Sequence, residues 1–124
     1  MYGGRWNTPG SHILYISESI ALATLELLVN GMSPHEANQY VGIPVDIPED
    51  TVTVLDLSRL PTDWKADPAP ASTKAIGDGW ANELASVVLQ VPSAVVDTER
   101  NFLINPAHPE FSKLQIGSFK HYLR

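Results

Sequence analysis

The sequence ILYISESIALATLELLVN, residues 13–30, is the most informative stretch for the architecture, because a strand pattern changes there into a helix pattern. Residues 13–16 are apolar, aromatic or β-branched, which favours a short strand. Residues 17–19 then supply the hydroxyls and the carboxylate that are typical of a helix start. The residues up to about Asn30 are apolar around nearly the whole helix circumference, and Gly31 is well placed to end the helix. We therefore expect a strand followed by a buried helix.

Turn residues, prolines and apolar runs divide the rest of the chain into short elements. The opening GGRWNTPG is typical of turns, and the stretches RLPTDW and DPAPAS predict a connecting loop over residues 58–70. The other predicted elements are a short helix started by Ser33-Pro34, strands near 42–47 and 51–57, a helix from Ser72 or Thr73 to about Leu84, strands at 86–91, 94–96 and 102–104, a short helical piece after Pro109 and a strand near 116–122. Because strands and helices mix without a regular βαβ alternation, the pattern predicts an α+β fold with a small mixed, mostly antiparallel sheet.

Length, charge and composition limit the possible functions. The 124 residues are typical of a single domain, residues 1–124, and the 44% apolar share favours a packed interior. A net charge of -6 without clusters of Lys and Arg argues against direct nucleic-acid binding. The sequence has no cysteine, no secretory signal in MYGGRWNTPG and no apolar run long enough to cross a bilayer. These features predict a soluble cytoplasmic protein without membrane association.

Glu26 is the most informative single residue. A carboxylate in a helix of Ala, Leu, Ile and Val has to be paired, neutral or directed into a cavity, and a cavity indicates a functional site. The alternative is a narrow solvent-facing stripe that Glu26 shares with Thr24. The residue pattern does not decide between these two interpretations.

Three further residues are candidates for ligand binding, each with a structural alternative. Arg5 lies in a glycine-flanked loop, where its guanidinium could bind a phosphate or remain a solvated cation. Tyr15 could stack on a flat ring or fill the core with its hydroxyl bonded to the backbone. Ser93 follows Pro92 at a bend between apolar segments, where its hydroxyl could bind substrate or cap a turn.

Several common catalytic and cofactor motifs are missing. No serine stands in a G-x-S-x-G elbow, which disfavours acyl transfer. His12, His35, His108 and His121 lack the paired spacing of metal ligands, so we expect no metal site. Gly77-Asp78-Gly79 lacks the glycine fingerprint of a dinucleotide-binding loop, and we interpret it as a helix irregularity.

Five motifs in order resemble the RES domain. They are GGRWN-P-G, LYISES-ALA-LELL, IGD-W, VPSAVV and NFLINP-HPEF, and they cover nearly the whole chain. The family takes its name from an arginine, a glutamate and a serine, which correspond here to Arg5, Glu26 and Ser93.

This resemblance implies a fold similar to that of the ADP-ribosyltransferase toxins, with a twisted sheet around an NAD cleft. It also implies a toxin that cleaves the nicotinamide–ribose bond, with water or phosphate as acceptor, and that is blocked by an Xre-type antitoxin. NAD is then a substrate and not a resident cofactor. Glu26 would stabilise the cationic sugar, Arg5 would bind a phosphate, Tyr15 would stack on nicotinamide, and Ser93 would orient nicotinamide or ribose.

One departure from the family concerns the start of the sequence. Family members usually carry a further strand, with another arginine, ahead of GGRWN, whereas this sequence begins four residues before Arg5. We expect this difference to expose a sheet edge, through which homo-oligomers could form, and to remove one substrate contact. Two alternatives to NAD cleavage therefore stay open: an impaired domain that only binds an antitoxin, and a protein ADP-ribosyltransferase.

Overall fold

A computed structural model of the chain describes residues 4–10, 12–119 and 121. The strands and helices follow one another as β1 (Leu14–Ser17), α1 (Ile20–Val29), α2 (Pro34–Ala37), β2 (Val45–Asp46), β3 (Val52–Val54), α3 (Ala71–Asn82), β4 (Val88–Pro92), β5 (Arg100–Ile104) and β6 (Gln115–Ile116). Short 3-10 turns occupy Glu49–Thr51, Leu57–Arg59 and Pro109–Lys113. Among the helices described, none has the length and apolar character that crossing a bilayer requires.

The strands form one four-stranded and one two-stranded sheet. The larger sheet has the order β1-β5-β4-β3, in which β5 runs antiparallel to both of its neighbours and β3 runs parallel to β4. Strands β2 and β6 pair antiparallel in the smaller sheet. The predicted α+β class with a mixed, mostly antiparallel sheet is confirmed.

The larger sheet buries both of its faces. Side chains alternate between the two faces of a strand, so Leu89 and Leu103 lie on one face and Val88 and Ile104 on the other. The first-face cluster also contains Trp6, Ile13, Trp80 and Val91. The second-face cluster also contains Val87 and Leu114. The sheet is therefore the middle layer of the structure.

Helix α1 has the predicted position but not the predicted burial. Ser19 caps it by accepting a hydrogen bond from the Leu22 amide at 3.1 Å, and Gly31 follows its end with a φ of +99°. Leu22 is the one fully buried residue in α1, whereas Val29 is 59% exposed. The expectation of a buried helix is wrong, because α1 packs against the edge strand β1 and the four-residue helix α2, which are too small to cover it.

Two predicted strands differ in the structure. Residues 94–96 form a bend, because Ser93 Oγ accepts the amides of Val95 and Val96 at 3.1 Å each and turns the chain. The last strand ends at Ile116, since its partner β2 has only two residues, and residues 117–119 and 121 have no regular structure. The remainder of the predicted strand, positions 120 and 122, lies outside the described residues.

Helix α3 begins directly after Pro70, so Ser72 and Thr73 lie inside the helix and do not cap it. The helix also continues without interruption through Gly77-Asp78-Gly79, and the predicted irregularity there is wrong. Gly77 instead allows a close approach, because a Cβ atom at this position would lie 1.8 Å from the carbonyl oxygen of Trp6. The Asp78 carboxylate accepts a hydrogen bond from the Thr8 amide at 2.9 Å. The N-terminal turn, residues 4–8, therefore docks on α3.

Candidate functional site

An open cavity of about 470 Å³ lies between the N-terminal turn, α1, α3 and the loop after β4, and we call it the polar cavity. Three of the residues singled out in the sequence, Arg5, Tyr15 and Glu26, line this cavity. Its other lining residues are Gly4, Trp6, Asn30, Asp67, Pro68, Ala69, Lys74, Ala94, Val95 and Asn101. Side chains that are distant in the sequence therefore share one concave surface.

Glu26 is fixed by two hydrogen bonds to one carboxylate oxygen. Oε2 accepts from Ser93 Oγ at 3.1 Å and from Asn101 Nδ2 at 2.7 Å. In the described part of the chain no donor reaches Oε1. Glu26 is half-buried in the cavity wall and does not lie on an open solvent stripe. The carboxylate thus has one anchored oxygen and one oxygen free for a ligand.

Ser93 is fully buried, and its hydroxyl is used completely within the protein. Oγ accepts the amides of Val95 and Val96, and its proton is donated to Glu26. The expected cap of a turn is confirmed, and the same hydroxyl also holds Glu26. In this geometry the Ser93 hydroxyl contacts the wall of the polar cavity only through Glu26.

Asn101 is a site residue that the sequence reasoning did not single out. It pairs with Ser17 and Val91 across β5 and shares the first face of the sheet with Leu103. Its Nδ2 holds Glu26, while its Oδ1 is buried without a hydrogen-bond partner among the described residues. The local sequence contained no clear signal, because Asn101 and Asn105 both stand two residues from Leu103 and only the strand pairing brings Asn101 opposite Ser17 and Val91.

Arg5 lies at the tip of a turn whose ends, Gly4 and Asn7, form a β-bridge. Its Nη1 donates to the carbonyl oxygens of Trp64 at 2.9 Å and Ala66 at 2.8 Å. One end of the guanidinium is therefore anchored on the loop before α3. Within the described residues the other nitrogens have no partner, so they remain available to an anion.

Tyr15 has an enclosed hydroxyl and a partly open ring. The hydroxyl donates to Asn7 Oδ1 and accepts the Trp6 amide at 3.2 Å, and a Cβ at Gly4 would collide with the ring. Burial raises the pKa of the Tyr15 phenol to about 12, with a smaller increase from the charge of Asp78 and an opposing effect of the Trp6 amide. The residue keeps 40% of its surface exposed, which leaves part of the ring available to a ligand.

Lys74 was also missed by the sequence reasoning. It is half-buried on α3 and lines the polar cavity. No carboxylate lies within 4.0 Å of its Nζ in the part of the chain that the structure describes, whereas Lys65 and Lys113 are paired with Asp97 and Glu110. A signal existed in the sequence, because Lys74 is the one basic residue in the helix ASTKAIGDGWAN.

A second cavity of about 370 Å³ adjoins the first, and we call it the apolar cavity. Both cavities share Tyr15, Glu26 and Asn30 in their walls. The rest of the apolar cavity is formed by Ser17, Ile20, Ala23, Thr24, Leu27, Ala37, Tyr40, Val41 and Gly42. Glu26 therefore stands where a polar and an apolar space meet.

The described residues contain no group of three or more His, Asp or Glu side chains arranged to hold a metal ion. The groups that the two cavities present are a fixed carboxylate, two cations and aromatic rings. A carboxylate with one free oxygen is suited to stabilising a developing positive charge.

Comparison with known proteins relates this chain to one family. The RES domain family matches residues 1–122. The chain is similar to a protein named Toxin Res from Yersinia enterocolitica, with 39% identity over 110 residues, which cover 89% of this chain and 72% of that protein. It is also similar to a Prs ADP-ribosylating toxin from Sphingobium sp., with 35% identity over 127 residues, covering 98% and 77%, respectively. A Toxin Res from Pseudomonas putida is 31% identical over 120 residues, covering 94% and 81%.

Proposed function

Since this chain belongs to the RES domain family, we propose that it is a toxin that consumes NAD by cleaving the bond between nicotinamide and ribose. Water or phosphate is the acceptor. The strongest support is the carboxylate of Glu26, which Ser93 and Asn101 hold in the wall of a cavity that also contains Arg5. NAD is the substrate, and the reaction needs no resident cofactor.

The cleavage step makes a positively charged sugar. The bond between ribose C1′ and the pyridinium nitrogen breaks, and its electron pair neutralises the nicotinamide ring. The sugar then resembles an oxocarbenium ion, which a neighbouring carboxylate stabilises more strongly than it stabilises the ground state. Because Glu26 is already held by two hydrogen bonds, it needs little reorganisation as this charge develops. Water or phosphate adds to C1′, and water loses its proton to solvent.

The remaining candidates bind and orient the substrate. Arg5 uses its free nitrogens to bind a phosphate group, and Tyr15 stacks on the nicotinamide ring. Ser93 acts on nicotinamide or ribose by positioning Glu26. In the cytoplasm, an Xre-type antitoxin covers the same cleft and prevents NAD from entering.

Transfer of ADP-ribose to a protein is the second candidate function. The name of the Sphingobium relative, Prs ADP-ribosylating toxin, favours it, and the same carboxylate would stabilise the same cationic sugar. Incubation with NAD labelled in its adenylate half distinguishes the two reactions. NAD cleavage leaves the label in small molecules, whereas protein transfer leaves it on a polypeptide.

The decisive experiment compares purified wild-type protein with Glu26→Gln. The glutamine oxygen still accepts from Ser93 and Asn101, so the fold is kept while the negative charge is lost. We expect the rate of nicotinamide release to fall by at least about 100-fold. Glu83→Gln is the matched control, because Glu83 is exposed at the end of α3 and should leave the rate unchanged. A fully active Glu26→Gln protein, or a wild-type protein that releases no nicotinamide, would contradict the proposal.

A further inference from the structure

The two cavities that meet at Glu26 differ in their chemistry. The polar cavity contains the guanidinium of Arg5 and the ammonium of Lys74 together with two carboxylates, Glu26 and Asp67. The apolar cavity has mainly aliphatic and aromatic walls with three uncharged polar residues, Ser17, Thr24 and Asn30, and Glu26 is its one charged lining residue. A ligand that spans both cavities therefore needs an anionic part and an uncharged, flat or apolar part.

Lys74 has the properties of an unused anion-binding group. It is half-buried, and no carboxylate of the described chain lies within 4.0 Å to neutralise it. Half-burial strengthens its attraction for an anion relative to that of a fully solvated lysine. Arg5 faces the same space with the nitrogens that the carbonyls of Trp64 and Ala66 leave free. Two such cations suit a ligand with two neighbouring negative charges.

Tyr40 has the complementary property on the other side of Glu26. It is 55% exposed although it stands beside an apolar cavity, where Ile20 and Leu27 form the neighbouring wall. An exposed aromatic ring next to aliphatic side chains offers a stacking surface to a flat heterocycle. Tyr15 lines both cavities and gives a second ring at the junction.

The order of groups in NAD matches this arrangement. The reacting ribose lies between the nicotinamide ring and the diphosphate, so these two parts leave the ribose in different directions. We propose that Lys74 binds the diphosphate in the polar cavity and that the cavity beside Tyr40 receives the nicotinamide ring. This assignment rests on the proposed function, because it places the reacting ribose at Glu26.

The test uses two ligands that each carry one part of the substrate. ADP-ribose carries the diphosphate without nicotinamide, and nicotinamide carries the ring without phosphate. Lys74→Met should weaken ADP-ribose binding roughly tenfold and leave nicotinamide binding unchanged, because a charge-assisted contact is lost from one half only. Lys113→Met is the matched control, since Lys113 is exposed and paired with Glu110. Lys74→Arg, which keeps the charge, should restore ADP-ribose binding.

Tyr40→Ala should give the opposite pattern. We expect nicotinamide binding, followed by NMR titration, to weaken roughly fivefold, while calorimetry shows unchanged ADP-ribose binding. Phe119→Ala is the aromatic control, because Phe119 is 69% exposed and lines neither cavity. The assignment is overturned if Lys74→Met leaves ADP-ribose binding intact, or if Tyr40→Ala weakens ADP-ribose in place of nicotinamide.

These binding measurements are independent of turnover. Suppose that Lys74→Met weakens only ADP-ribose binding and Tyr40→Ala weakens only nicotinamide binding, but the wild-type protein releases no nicotinamide from NAD. The proposed function then fails and the orientation of the ligand stands. If the wild-type protein cleaves NAD but the two substitutions do not each weaken one ligand alone, only the proposed orientation fails.

Discussion

Ser93 connects the bend after β4 with helix α1 through one hydroxyl group. It accepts two amides of the bend after β4 and donates to the carboxylate on α1. Removing the hydroxyl leaves the two amides and the Glu26 oxygen each short of one bond. Because Ser93 itself is fully buried, leaving its partners unpaired around that position costs free energy.

We therefore expect Ser93→Ala to lower kcat for NAD more than it raises KM, together with a loss of about 1–3 kcal/mol in the free energy of unfolding. Steady-state kinetics and urea denaturation measure the two effects. Ser86→Ala is a matched control, because Ser86 also bridges two groups, Trp80 Nε1 at 2.9 Å and the Val88 carbonyl at 2.8 Å, outside both cavities. It should lower stability and preserve kcat. An equal loss of kcat in both variants would assign Ser93 a purely structural role.

The Tyr15 phenol should lose its proton at an unusually high pH. Its pKa of about 12 lies above the value of about 10 in the unfolded chain, because burial disfavours the phenolate. The folded state holds the proton more strongly, so the stabilisation is complete below pH 10 and is lost as the pH rises towards 12. The difference in ultraviolet absorbance between wild-type protein and Tyr15→Phe reports this titration directly. A midpoint near pH 10 would show that the hydroxyl is not enclosed.

Among single residues, those that differ in chemical character from their sequence neighbours could be predicted as site residues, and the others could not. Glu26 is conspicuous because it is a charge among aliphatic side chains. Asn101 and Lys74 acquire their meaning only from the strand register and from the way α3 packs, since Asn101 must lie opposite Ser17 and Val91 before it can reach Glu26. Neither fact follows from local sequence.

At the scale of elements, the contact between α3 and the N-terminal turn determines where Arg5 lies. Two glycines on the same helix have opposite environments. Gly77 faces the Trp6 carbonyl, whereas a Cβ at Gly79 would meet no atom within 4 Å. This pair separates the effect of steric contact from the effect of helix propensity.

Gly77→Ala should destabilise the protein by about 2 kcal/mol or more, because backbone and helix must separate to admit the methyl group. It should also raise KM for NAD, since the turn that carries Arg5 is displaced. Gly79→Ala should stabilise the protein by about 0.5–1 kcal/mol through the better helix propensity of alanine. Chemical denaturation of the two variants gives the comparison, and equal stabilities would contradict the close packing at Gly77.

Helix starts could be predicted from the sequence where hydrogen bonds between residues close in the chain determine them. Ser19 and Ser33 cap their helices as expected, and Ser33 forms a full capping box with Glu36. Residues 94–96 have strand-like side chains, yet Ser93 takes two of their backbone donors. The burial of α1 could not be read from its composition, because its exposure depends on how little of the chain packs against it.

At the scale of the whole molecule, two hydrophobic clusters share one sheet. All three tryptophans, Trp6, Trp64 and Trp80, belong to the first-face cluster or pack against it. Tryptophan fluorescence therefore reports one layer, whereas circular dichroism reports the complete backbone. Adjacent β5 residues, Leu103 and Ile104, project into opposite layers.

We expect Leu103→Ala and Ile104→Ala each to cost about 2–5 kcal/mol, because both side chains are almost fully buried. If the layers unfold together, fluorescence and circular dichroism should give the same urea midpoint in both variants. The Ile104 variant is the more stringent test, because the space left by the shortened side chain lies in the layer that contains no tryptophan. Separate midpoints would show that the two layers unfold independently.

The groups that hold Glu26 and the groups proposed to hold the phosphates differ in how deeply they are built into the molecule. Ser93 directly follows β4, and Asn101 lies on β5, the strand between β4 and β1. Arg5, in contrast, lies in an irregular turn, and Lys74 lies half-buried on α3, so both are outside the sheet. Local opening begins in peripheral segments before it reaches the inner strands. If the proposed function holds, gentle warming should therefore first weaken the affinity of the protein for NAD and only later stop turnover at saturating NAD.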